Sequence, residues 1–321
     1  MENQTSMTHF ILLGFSKNLP VQIFLLFLFS LIYAITLMGN IIIMVVIKND
    51  GHLQSPMYFF LSQLAFLDIF YSSVTVPKIL VNFFDSQTIS YNNCITQMFF
   101  ILLTGFAEIS ILTVMSYDRY AAICSPLHYI ETMNTTFCKQ LVGAVWAMAF
   151  FYAIMNTLPI LRLTFCGPNI IRHYSCELPS LLALSCTETF VNKIIFFATG
   201  GALGGFTFFL TLVSYINIIS TILKINSAEG RRKTFSTCSS HLIIVVLLYG
   251  TGYIRYLRPS SASSVVLDEL LSIQYSISTP MLNPIIYSLK TKEVKEAIKR
   301  LMRQASENIE HIYATNIHMI D

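Results

Sequence analysis

The chain has 321 residues, of which 54% are hydrophobic and 12% charged, with 25 Phe, 16 Tyr and 13 Met. A soluble domain carries about 25% charged residues, and a chain this apolar has too little polar surface to face water on all sides, so the composition points to a membrane. The net charge of +3 gives no reason to invoke nucleic acid as a partner.

Residues 1–17 are polar and lack a basic leader region, and the first apolar run is longer than the about 7–15 residues of a cleavable signal. It is predicted to insert as a signal anchor. A spanning helix needs roughly 20 apolar residues, and charge-poor runs of that length lie at about 20–47, 57–80, 94–117, 140–161, 194–223, 234–257 and 267–289. The first, fourth and fifth hold no charge; the second holds Asp68 and Lys78, and the third Glu108. The sixth mixes aromatic and basic residues at Tyr253-Ile254-Arg255-Tyr256. The expected fold is an all-α membrane protein, a seven-transmembrane helix bundle. Residues 1–19 form an extracellular N-terminus, 20–290 the seven-helix domain, and 291–321 a cytoplasmic amphipathic helix and tail. In that last segment Val294, Ile298, Leu301 and Met302 recur at helical intervals between basic positions, as in a helix lying on a membrane surface.

An odd number of spans puts the termini on opposite sides. Lys48, Arg119, Lys139, Lys224, Arg231, Arg232, Lys233, Lys290, Lys292, Lys295, Lys299, Arg300 and Arg303 are 13 of the 20 basic residues, and all fall on the C-terminal side. The positive-inside rule makes that side cytoplasmic. Cysteines partition the same way: Cys94, Cys166, Cys176 and Cys186 fall outside, where disulfides form, and Cys124, Cys138 and Cys238 inside, where thiols stay reduced. Four outer cysteines allow three pairings. Asn3-Gln4-Thr5 is a glycosylation sequon on the outer side, whereas Asn134-Thr135-Thr136 falls in an inner loop and is expected to stay unmodified.

Several blocks carry a specific resemblance. Gly39-Asn40 lies in the first span, and Leu53-Gln54-Ser55-Pro56-Met57-Tyr58-Phe59-Phe60-Leu61-Ser62 opens the second. Met115-Ser116-Tyr117-Asp118-Arg119-Tyr120-Ala121-Ala122-Ile123-Cys124 ends the third, followed by Ser125-Pro126-Leu127-His128-Tyr129. Ser214-Tyr215 lies in the fifth, Lys233-Thr234-Phe235-Ser236-Thr237-Cys238-Ser239-Ser240-His241 opens the sixth, and Pro280-Met281-Leu282-Asn283-Pro284-Ile285-Ile286-Tyr287 ends the seventh. In this order and placement the blocks resemble the olfactory (odorant) receptors of the rhodopsin-like G-protein-coupled class.

The resemblance implies a Cys94–Cys176 disulfide and a second, Cys166–Cys186, within the loop 162–193, making that loop a stapled cover over the bundle. It implies a ligand pocket at Leu102, Gly105, Phe106, Ile109, Thr199, Leu203, Tyr249, Gly252, Tyr253, Tyr256 and Ser276. That set is apolar with a few hydroxyls and no fixed charge, which suits small neutral hydrophobic molecules. Ile101 stands where amine receptors carry an aspartate, and Leu247-Leu248-Tyr249-Gly250-Thr251 replaces the tryptophan and proline of the wider class. Asn40, Asp68, Glu108 and Asn283 are implied to form a polar core. Ionisable groups at membrane depth are functional candidates by default, and two close carboxylates either share a cation or retain a proton. No cofactor is expected beyond a sodium ion at Asp68 and Glu108. Asp118, Arg119, Tyr120, Tyr215 and Tyr287 are implied to be the switch toward a stimulatory heterotrimeric G protein, raising cyclic AMP.

The expected partners are thus a small-molecule odorant, that G protein and membrane lipid, at the plasma membrane. His241 has no second ligand at metal spacing and reads as a packing imidazole. A non-olfactory rhodopsin-like receptor for a lipid or metabolite is the nearest rival, opposed by the Pro56–Ser62 block. A transporter would show repeats or broken helices, and no Ser/His, paired-Asp or metal-spaced motif suggests an enzyme.

Overall fold

In lipid the backbone has no water to bond, so apolar runs close their hydrogen bonds internally as helices. The structure is a computed structural model describing residues 8–13, 18–84, 87–166, 168–257, 271–291, 293–303 and 307. Asn3 lies outside the described residues, as do the side chains of Tyr253 and Tyr256. The helices are α1 (Leu19–Asn49), α2 (Pro56–Val81), α3 (Tyr91–Cys124) and α4 (Thr135–Thr157, continued as a 3-10 turn to Arg162). They are followed by α5 (Phe190–Leu223), α6 (Ala228–Leu257), α7 (residues 271–290) and α8 (residues 293–303).

Helices α1 to α5 are each long and apolar enough to cross a membrane, and α6 adds a sixth crossing bent by 48° between Ala228–Ser236 and Cys238–Gly252. With α7 the molecule is a seven-helix bundle in a multi-pass membrane protein. The sixth span, read from sequence as one run over 234–257, thus starts earlier and carries a bend. Two further irregularities have no counterpart in the sequence reading: α5 passes through a π turn at Gly200–Gly204 and α7 through one at Gln274–Ser278. Such bulges locally widen a helix and recur at functional sites.

Helix α3 is the hub and packs against α2, α4, α5 and α6. Local chemistry sets the helix starts. Pro20 and Pro56 occupy the first turns of α1 and α2, where a missing N–H costs nothing. The Ser90 hydroxyl accepts from the Asn93 N–H, and the Asn134 carboxamide from the Phe137 N–H at 2.9 Å. Asn134, the first residue of the second sequon, is therefore a helix cap. Intramembrane hydroxyls are satisfied by the carbonyl one turn back, as in Thr36 to Ile32, Ser72 to Asp68, Thr104 to Phe100 and Ser116 to Leu112. Gly39 lets α1 close on α7: a Cβ there would sit 3.0 Å from Pro284.

One end of the bundle is closed by a three-stranded sheet in the order β2-β1-β3, with β1 at His9–Leu12, β2 at Thr88–Ser90 and β3 at Ile170–Ile171. Strand β1 pairs antiparallel with β2 and parallel with β3. Phe10 and Leu12 are fully buried, and the Phe10 ring meets Phe165 edge-on at 5.4 Å. This segment of the polar N-terminal stretch is thereby an integral strand. Cys94 is bonded to Cys176 and Cys166 to Cys186, with Cα separations of 5.4 and 5.7 Å. We call this the disulfide end and the opposite one the Arg119 end.

At the Arg119 end α8 buries Val294 and Ala297 and packs Ile298 and Leu301 against the core, while Met302 is exposed. The apolar face thus ends at Leu301, one residue before the end of its sequence pattern. The Arg300 guanidinium grips Asp50, at 2.6 and 3.0 Å. That bond, with the His52 N–H, holds the Asp50 carboxyl below its ordinary 3.8. A value lowered in the folded state stabilises above the ordinary pKa and is lost as pH falls through the lowered one. Hydrogen exchange in 293–303, corrected for intrinsic rates, is therefore expected to stay level from pH 8 to about 5 and to quicken only below about 4. Asp50→Asn is expected to show the quickened exchange already at neutral pH.

Candidate functional site

The deepest polar groups lie where α1, α2, α3 and α7 meet. Both Asp68 oxygens accept from the Asn283 carboxamide at 3.0 Å, and Asp68 is 1% exposed. Asn40 donates to the Thr36 and Pro280 carbonyls, at 2.9 and 3.1 Å, so it ties α1 to α7 through the backbone and not through a carboxylate. Glu108 is buried, bonded by the Tyr275 side chain, and its Oε1 finds no hydrogen-bond partner among the described residues. Of the four sequence candidates, the structure bonds Asp68 with Asn283 and leaves Asn40 and Glu108 on separate partners.

Tyr275, which sequence reasoning missed, organises this region. Its hydroxyl lies over Gly105, where a Cβ would come within 2.9 Å, and its ring meets Tyr71 edge-on at 5.3 Å. The signal available was general: a tyrosine inside a buried helix must find a partner for its hydroxyl. Among the described residues no group of three or more His, Cys, Asp or Glu could hold a metal.

Toward the disulfide end lie the inferred ligand positions. Phe106 is 5% exposed and stacks on Tyr152 with ring centres 5.0 Å apart. Gly105 and Ser276 are buried, and Leu102, Ile109, Thr199, Leu203, Tyr249 and Gly252 are half-buried. Thr199 accepts from Asn156 at 3.1 Å, joining α4 to α5. The Tyr249 hydroxyl lies 3.2 Å from Thr113 Oγ1, which also accepts from Thr211 at 3.1 Å, so one threonine of α3 links α5 and α6. The Tyr249 ring packs on Phe208 at 5.4 Å.

The loop between α4 and α5 reaches down onto this set. Tyr174 is 3% exposed, and its hydroxyl lies 2.7 Å from both Ser272 and Ser276 on α7. Ser272 donates to Glu177 at 2.8 Å, His173 Nε2 lies 3.7 Å from the same carboxylate, and the Cys176 N–H donates to Gln97 at 2.9 Å. The cover is therefore wired to α3 by a disulfide and a hydrogen bond, and to α7 by hydroxyls. Among the described residues, Ser276 is the sequence candidate to which the cover is hydrogen-bonded.

At the Arg119 end the Arg119 guanidinium bonds Asp118 at 2.6 and 3.1 Å, and Tyr129 of the following loop donates to the other Asp118 oxygen at 2.8 Å. Asp118 has no exposure and Arg119 14%. Tyr120 is half-buried, its ring 6.1 Å from Tyr117. Tyr215 is bonded to His241 Nδ1, so that imidazole holds α5 to α6. Tyr287 is 1% exposed, and its hydroxyl has no partner among the described residues. It borders a small cavity of about 10 Å³ shared with Met57, Met115, Arg119, Ser240 and His241. A larger cleft, about 390 Å³, lies between α2 and α3 at the disulfide end, and its described lining includes none of the inferred ligand positions.

A buried core of paired polar groups, connected to a covered end on one side and to a salt-bridged arginine on the other, is the organisation of a seven-helix, rhodopsin-like receptor. The olfactory receptor family model matches residues 29–305. The chain is 46% identical over 303 residues to olfactory receptor 5A1 of Homo sapiens, covering 94% of this chain and 96% of that one. It is 45% identical to olfactory receptor 1G1 of Gorilla gorilla gorilla over 94% and 96%, and 44% identical to olfactory receptor 4E2 of Mus musculus over 94% and 97%. The chain belongs to the olfactory receptor family, a family of receptors and not of enzymes.

Proposed function

We propose that the chain binds small, neutral, hydrophobic volatile molecules between α3, α5, α6 and α7 and activates a stimulatory heterotrimeric G protein, raising cyclic AMP. The observation that carries this reading is the wiring of one set of residues to both ends. Phe106 and Tyr249 are among the inferred ligand positions, and Thr113 ties Tyr249 to α3 five and six residues before Asp118 and Arg119, about one and a half turns. A ligand that moved α6 against α3 would disturb this bond and, further along, the Tyr215–His241 contact beside the Arg119 cavity. Two packings of one bundle form a bistable element of the kind a switch requires.

The distribution of basic residues supports the plasma-membrane orientation with the disulfide end outside and the Arg119 end in the cytoplasm. Asp68 and Glu108 are suited to hold a sodium ion or a proton that biases the resting state: both are buried, and Glu108 Oε1 lacks a partner among the described residues.

The test is a chemically diverse volatile panel against the full chain co-expressed with a stimulatory G protein, read as cyclic AMP. Neutral agonists are expected. Phe106→Ala, which removes the ring stacked on Tyr152, is expected to shift agonist potency at least about tenfold, equivalent to about 1.4 kcal/mol, with basal signalling unchanged. If the strongest agonists were cations whose response vanished on neutralisation, the pocket assignment would fail.

A further inference from the structure

The cleft between α2 and α3 lies outside the ligand region described above and has its own chemistry. Its volume, about 390 Å³, is at the lower end of the roughly 300–1,000 Å³ of small-molecule sites. The lining residues fall on one face of each helix: Val74 and Lys78 are one turn apart on α2, and Asn93, Thr96, Gln97 and Phe100 follow at three- and four-residue steps on α3. Strand β2, Thr88–Ser90, closes its outer edge. From Asn93 to Phe100 the cleft descends about 10 Å into the bundle (1.5 Å per residue).

Polarity changes along that descent. At the mouth stand Thr88, Ser90 and Asn93 with the Lys78 ammonium, which donates to the Thr88 carbonyl at 2.7 Å. At the base the wall is Val74 and Phe100, the latter packed on Phe70 and Phe99 at 5.4 and 5.3 Å. Lys78 is the one charged side chain in the described lining, and one of its N–H groups is held by the Thr88 carbonyl. The remaining polar groups are hydroxyls and amides, which both donate and accept.

We propose that this cleft is a binding site for a single-chain amphiphile with a neutral hydroxyl head, lodged with the head among Thr88, Ser90 and Asn93 and the chain on Val74 and Phe100. A hydroxyl can return both kinds of hydrogen bond at the mouth, whereas a carboxylate can only accept and an ammonium only donate. The apolar base offers nothing to a second charged or polar end. The site adjoins the cover: Gln97 at its back accepts from the Cys176 N–H and donates to the Val74 carbonyl.

The test uses the purified full chain in lipid nanodiscs and three diazirine-bearing probes with the same twelve-carbon chain, ending in alcohol, carboxylate or amine, with labelled peptides located by mass spectrometry. The alcohol is expected to label segments 74–78 and 88–100 in preference to the charged probes. Thr96→Trp, on the exposed side of the cleft, is expected to abolish that labelling by filling the space. Thr96→Val is expected to keep it, which separates filling from misfolding. Phe106→Ala is expected to leave it unchanged, so failure here is distinguishable from failure of the ligand region. Labelling that ignored Thr96→Trp, or that favoured either charged probe, would overturn the proposal.

Discussion

Arg119→Ala is expected to reduce the cyclic AMP response to background while agonist binding at matched surface levels is retained. The residue stands 13 positions beyond Phe106 on α3, about 20 Å along a helix at 1.5 Å per residue, too far to touch a ligand there. It borders the small cavity with Tyr287 and His241, where a cytoplasmic partner would engage α3, α6 and α7 together. The variant also strands Asp118, which has no exposure, and leaving one buried charge unpaired costs roughly 3–5 kcal/mol. Asp118→Asn combined with Arg119→Ala removes that charge while the position facing Tyr129 can still accept its hydrogen bond. If the double variant reached the surface and bound agonist yet stayed silent, the role of Arg119 in output would stand. Normal signalling by it would end that assignment.

Cys94→Ser, Cys176→Ser and the double variant are expected to lose surface receptor to the same large extent, and Cys166→Ser to a lesser one. In the chain-entropy account a cross-link stabilises more the longer the loop it closes, about 3 kcal/mol for 15 residues and 4.7 for 100. The two bridges here close separations of 82 and 20 residues. The longer one also holds the Cys176 N–H on Gln97 and, through the neighbouring Tyr174, the hydroxyls of α7. Surface labelling and thermal denaturation of solubilised receptor measure the effect. Equal losses for Cys94 and the double variant would show that the two sulfurs act as one unit. A greater loss from Cys166→Ser than from Cys94→Ser would reverse the ranking.

How much of this was legible in advance varies by feature. The seven apolar runs, the bare charges Asp68 and Glu108 and the two-sided cysteine distribution are visible in the chain, because burial in lipid acts on every residue of a span and leaves a long signal. The bend in α6 and the π turns of α5 and α7 were not. A bulge changes one hydrogen-bond step and leaves hydropathy untouched. Strand β1 was hidden for a related reason: Phe10-Ile11-Leu12-Leu13 is an apolar run of only four residues, with no alternation of its own, and only pairing with β2 and β3 makes Phe10 and Leu12 the buried pair.

The amino-acid sequence by itself determined that this is a seven-helix membrane receptor of the olfactory family, since span length, charge placement and the ordered motif blocks are local properties. Only the tertiary structure decided which polar groups meet. The resemblance implied one polar core holding Asn40 with Asp68, yet Asn40 bonds the Pro280 carbonyl, while Asn283 donates to both Asp68 oxygens. Tyr275, Tyr174 and Thr113, ordinary residues in the chain, became junctions between helices. A buried hydroxyl or amide must be paired with whatever the packed neighbour presents, and in a bundle that neighbour is 98 positions away for Tyr174 and Ser272 and 215 for Asp68 and Asn283. No local pattern encodes such a partner; the rotation and depth of each helix in the bundle select it.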